Sequence, residues 1–247
     1  MAVVNNPTGR LLDLMIKVKT LPDATKTRSA WATILGCDET DTGHLLHSIA
    51  RLINLVEEAK AATRMHVPGD PRLYLAPFPA IETMLSRLSF ESTWNNSKLL
   101  ITDTVISGLE FGSHHLAFYY PEKSLDNEHL KRLIESVDSL LEECINADIP
   151  KELKQLFAHN LNSLRQSLTS YRISGAQGLQ EELDRIAGTV LRNKDVLLVA
   201  GESPETRDLT SKFFDVIAKV NDSVQIVQTA CALAAPLTIV LSMLPKG

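Results

Sequence analysis

The residues best suited to chemistry in this chain are its histidines, cysteines and isolated carboxylates. His44 and His47 stand three apart, which puts both on one face of a helix. Such a pair can supply two ligands to zinc. The HExxH signature is absent, however, and Glu57 and Glu58 lie well beyond the next turn. A pair of surface histidines near a helix start is the preferred reading. His114 and His115 are adjacent in FGSHHLAFYY, and neighbours on a helix face different directions. His159 sits beside an apolar stripe. An enzymatic alternative follows: a metal-dependent helical hydrolase using clustered histidines, with weak metal candidates His44, His47, His114 and His115. It requires three or more ligands to converge. No HD dipeptide occurs.

Cys37, Cys144 and Cys231 are far apart and odd in number, with no CxxC pair. A disulfide framework or zinc finger is not expected, and a reducing, cytoplasmic compartment is. Cys144 and Cys231 read as small core residues. Cys37 precedes Asp38 and Glu39, and neighbouring acid disfavours a thiolate. Phosphate loops of the GxxxxGK[ST] or GxGxxG kind are absent. No catalytic residue is assigned and no cofactor is expected.

Two further features invite a functional reading and have a plainer one. Asp103 lies in the otherwise apolar stretch 99–109, where a carboxylate must be paired or functional. With Thr102 and Thr104 it can also be a polar edge. Glu135, Asp138, Glu142 and Glu143 share one helix and read as a solvated face rather than a cation site.

These residues must be held by helices, because helical periodicity runs through nearly the whole chain. Thr8 is expected to open a first helix, and Asp23 or Thr25 a second that Gly36 ends. Leu45, Ile49, Leu52, Ile53 and Val56 predict a third over 42–65. Residues 67–79 carry five prolines and glycines and read as a break. One buried helix is expected within 90–120, with Gly108 and Gly112 admitting a close neighbour. Asp126 caps the next helix, Ile149-Pro150 starts another, and Ser203-Pro204-Glu205 starts a third. Between them, 171–175 reads as a turn, and 195–200 as a strand or a helix end. Tyr171 and Arg172 make this turn a possible interaction point; the plainer reading packs Tyr171 and Ile173 onto the core.

The bulk numbers agree with a helical globule. Of 247 residues, 44% are hydrophobic and 5% aromatic, so aliphatic side chains must fill the core. The net charge of −5 argues against nucleic acid as a partner. Arg10, Lys17, Lys19, Lys26 and Arg28 make a modest basic surface near the start. The first fifteen residues do not resemble a signal peptide.

The most unusual stretch is 223–245, which contains no charged residue. Roughly twenty apolar residues span a bilayer core, but Gln225, Gln228, Thr229 and Pro236 dilute this run. It can be a core helix, a membrane-engaging helix or a patch for a partner, with Ile226, Leu233, Leu237 and Leu241 as its contact residues. The expectation is therefore an all-α, irregular bundle of roughly eight to ten helices, with 1–222 as bundle and 223–245 as an apolar C-terminal helix. The function expected is non-enzymatic: a bacterial-type interaction or effector protein, self-associating or binding a protein partner, with possible membrane contact through 223–245. A soluble regulatory adaptor is the other alternative.

Overall fold

Side-chain caps start most of the long helices. In the computed structural model, which describes residues 6–67, 69–120, 125–200 and 203–225, Asn6 opens α1 (Pro7–Thr20) by accepting the Gly9 N–H at 2.8 Å. The cap lies two residues before the expected Thr8. Asp41 opens α3 (Thr42–His66) through the His44 N–H. Between them, α2 (Thr27–Leu35) ends at Gly36, whose φ of 71° suits glycine. The expected break holds a single turn, α4 (Arg72–Leu75), and α5 (Phe78–Ser86) begins at its end.

The single helix expected within 90–120 is divided. A turn of helix, α6 (Asn95–Lys98), is followed by a bend and then α7 (Asp103–Leu116). Thr102 is extended and its hydroxyl caps the Val105 N–H, so the chain restarts there. Lys98 closes the bend by donating to the Leu21 carbonyl and pairing with Asp23.

The chain divides into two compact units: Met1–Ser124 with Arg172–Gly175, and Leu125–Tyr171 with Ala176–Gly247. Residues 1–222, expected as one bundle, thus contribute to two cores. In the first, Leu11, Leu14, Met15 and Val18 of α1 form one buried stripe. Trp31 and Trp94 meet edge to face at 5.2 Å, and Trp94 Nε1 donates to the Val18 carbonyl at 2.9 Å. Gly108 and Gly112 do admit close neighbours. A Cβ on Gly108 would overlap Pro77, and one on Gly112 would lie 3.2 Å from the Thr8 methyl.

In the second unit, Asp126 caps α8 (Asn127–Asn146) through the His129 N–H. Pro150 is the cap residue of α9 (Lys151–Thr169). The expected turn at 171–175 is instead helical. α10 (Tyr171–Arg192) begins at once and is kinked at Gly175, where φ is 64° and ψ −165°. Residues 195–200 belong to a helix, α11 (Lys194–Ala200), and Ser203 caps α12 (Pro204–Gln225). Leu130, Leu133, Val137 and Leu140 pack with Phe157, which stacks on Phe213 at 4.5 Å.

The fold is all-α. Twelve helical segments occur among the described residues, two of them single turns of four residues, and one isolated bridge joins Lys26 and Thr93. No helix among them is long and apolar enough to cross a membrane. The expected apolar C-terminal helix, beyond Gln225, lies outside the described residues.

Candidate interaction surface

Among the described residues, the exposed Phe and Tyr rings more than half open to solvent lie at the C-terminal end of α7 and in the turn after it. Phe111, His114, His115 and Phe118 follow i, i+3, i+4, i+7 spacing, so they share one face of the helix and the turn that continues it. The opposite face is pinned. Leu109 and Leu116 are fully buried, Gly112 meets α1, and the buried Asn6 amide donates to the Ser113 carbonyl at 3.0 Å. With that face committed to the core, the ring-bearing face turns outward.

The end of α3 and the segment after it meet this face. His66 stacks on Tyr119 with centroids 4.4 Å apart, and Tyr120 meets His66 edge to face. His115 Nε2 lies 3.3 Å from the His66 carbonyl oxygen, and the Tyr74 ring is 6.0 Å from the His115 ring. His114 and His115 both contact Phe118. Despite these contacts, Phe118 is 79% exposed, Phe111 70% and Tyr119 52%. Met65 and Leu73, which adjoin His66 and Tyr74 in the chain, are exposed to 78% and 79%. Exposed apolar side chains scattered singly are ordinary, whereas a connected patch marks an interaction site.

A polar cluster lies elsewhere in the same unit. The Arg10 guanidinium, 3% exposed, donates to the Ile173 carbonyl at 3.0 Å and to both Glu58 oxygens at 2.9 and 2.8 Å. One helical turn on, burial raises the Asp13 carboxyl above its ordinary value against the pull of Lys17 and Arg172. Burial, with Arg172 adding repulsion, lowers Lys17. Burial and then Glu58 push the Tyr120 phenol up. Arg10 ties the segment Arg172–Gly175 into the first unit through the Ile173 carbonyl, with Asp13 attracting Arg172.

The sequence-derived metal candidates separate. His44 is half-buried and His47 exposed at the start of α3. Desolvation, then Arg51 and His44, lower the His47 pKa, and its Nε2 accepts a bond from Arg51 at 3.1 Å. His114 and His115 stand at the end of α7 among rings, and His159 is exposed on α9. Among the described residues no group of three or more His, Cys, Asp or Glu side chains is placed to hold a metal ion. Asp103 is a solvated first-turn residue of α7 that pairs with Lys19. In the acidic face, Asp138 pairs with Arg165 and Glu143 with Lys212. The Cys144 thiol is buried, which together with Glu143 pushes it up to about 11, while Cys37 donates to the Ser48 hydroxyl.

Of the residues expected to bind a partner, Tyr171 is 2% exposed, and its hydroxyl accepts the Leu125 N–H at 3.2 Å. Ile173 is equally buried. Packing, rather than recognition, explains both. Arg172 is exposed. Ile226, Leu233, Leu237 and Leu241, like Cys231, lie outside the described residues. The aromatic surface was missed because the helix bearing it was expected to be buried. Its signal is the spacing of Phe111, His114, His115 and Phe118. No family model matches this chain, nor does any curated protein or solved structure.

Proposed function

We propose that this chain is a non-enzymatic interaction protein whose working surface is the ring-bearing end of α7. The observation that carries this reading is the pair Phe118 and Tyr119, more than half exposed and joined through His115, with exposed Phe111 two turns back on the same helical face. Aromatic residues and Met are enriched in the centres of protein interfaces, where they supply contact area at small entropic cost. A test is photocrosslinking of the full chain with p-benzoylphenylalanine in place of Phe118, and in a second protein in place of Lys151, exposed on α9. Protein adducts specific to position 118, abolished by Phe111→Ser with Tyr119→Ser, are expected. Equal adducts from both positions, or none from 118, reject the reading.

We also propose a second contact, between residues 223–245 and a membrane. Its support is the absence of any charged residue between Asp222 and Lys246. Liposome flotation of the full chain and of its Leu237→Lys, Leu241→Lys variant tests this. Flotation should be confined to the unsubstituted chain; equal behaviour of the two dismisses the membrane contact.

A further inference from the structure

We infer that the partner of the α7 surface is a second copy of this chain, seated across a two-fold axis so that each ring patch covers the other. The inference rests on the interaction reading above and adds the identity of the partner. Two observations carry it.

The first is area. A fully covered aromatic side chain contributes roughly 150–250 Å². At exposures of 79%, 70% and 52%, Phe118, Phe111 and Tyr119 together offer roughly 300–500 Å². A stable interface takes about 800 Å² from each partner, a little over half of it apolar. The patch therefore supplies the apolar part of one whole interface.

The second is charge. Two copies of a chain with net charge −5 repel, most where acids are dense. Across 61–76 and 108–120 the acids are Asp70 and Glu110 alone, and Asp70 is held by Arg72. A second copy meets little repulsion here. The same stretches contain Arg64 and Arg72 as their only Lys or Arg residues. Anionic lipid is attracted by a denser basic flank than this, so the surface favours protein over membrane.

Sedimentation velocity of the full chain over about 1–100 µM, spanning common interface affinities, tests the inference together with crosslinking of the purified chain from position 118. A reversible dimer is expected, with crosslinks to 65–74 or 111–119 of the second copy. Phe118→Ser with Tyr119→Ser should weaken it at least about 30-fold, as loss of a hot-spot ring does. Both side chains are exposed, so far-ultraviolet dichroism should be unchanged. A monomer, a dimer indifferent to the substitutions, or crosslinks to other segments overturns the inference. If purified chain gives no adduct while cell extract gives position-specific adducts of another mass, the second copy is excluded and the interaction reading stands. If neither gives an adduct, both fall.

Discussion

Gly175→Ala should be among the most damaging small substitutions in the first unit. Its φ of 64° and ψ of −165° belong to a backbone region that is almost exclusively glycine's. An L-residue held there costs about 1–3 kcal/mol. A Cβ would also overlap the Arg10 guanidinium, coming within 2.7 Å of its Cζ. That guanidinium cannot shift without loosening its bonds to the Ile173 carbonyl and Glu58. A hydrogen bond to a charged group contributes about 1.5–3 kcal/mol, the lower end applying here because Glu58 is partly solvated. The sum is about 2.5–4.5 kcal/mol. Gly36 supplies the control: it too has positive φ, 71°, but nothing lies within 4 Å of its Cβ position. Gly36→Ala should therefore cost only about 1–2 kcal/mol. Both tryptophans, Trp31 and Trp94, belong to the first unit, so their emission during urea unfolding reports on it alone. In an Arg10→Ala background the steric part vanishes, and Gly175→Ala should add only its backbone cost. Equal costs at Gly36 and Gly175, or strict additivity with Arg10→Ala, would refute the reasoning.

Three other substitutions or treatments have clear expected outcomes. Trp94→Phe removes the donor to the Val18 carbonyl and alters the edge contact with Trp31; it should cost about 2–4 kcal/mol by urea unfolding followed through Trp31. Cys144 should resist a thiol reagent at pH 8 until the second unit unfolds, because the buried thiol is raised to about 11; rapid labelling in the folded chain, read by mass spectrometry, would contradict this. Asp13→Asn should stabilise the chain near neutral pH. The folded carboxyl is raised above its ordinary value of 3.8, so the protonated form is favoured by folding and that contribution is lost as pH rises through the folded pKa. The advantage of the Asp13→Asn chain should therefore shrink as pH falls through the raised folded pKa towards 3.8 and be lost below it; a gap that widens in acid reverses the sign and rejects the assignment.

Local rules made much of the helical layout legible. The stripe from Leu45 to Val56 marked α3, and Asp126 and Ser203 announced their helices because short polar side chains satisfy free N–H groups at helix starts. The restart at Thr102 was hidden among apolar residues, although Thr102-Asp103 is a cap followed by a first-turn acid. The placement of Arg172–Gly175 was beyond local reading. It depends on Arg10, 163 residues away from Ile173 in sequence, reaching that residue's carbonyl. The aromatic surface was half legible. Its α7 residues share a helical spacing, but the stacking of His66 on Tyr119 is a tertiary contact between segments that periodicity treats separately. Which face of α7 is covered was decided by Gly112 and Ser113, whose partners Thr8 and Asn6 come from the other end of the unit's sequence.

Gly108 and Gly112 also determine how α7 can move. Pro77 fits against one and Thr8 against the other, so rolling the helix about its axis would drive a neighbouring Cβ or the helix backbone into one of them. The outward direction of Phe111 and His115 is thereby locked, and the His115 ring is already set against Tyr74, Phe118 and Tyr119 before anything binds. Little freedom of the helix to rotate is left to lose on association. The two glycines, which touch no partner themselves, thus lower the entropic cost of every contact made on the far side of the helix. Enlarging either would blur the binding face by letting it turn.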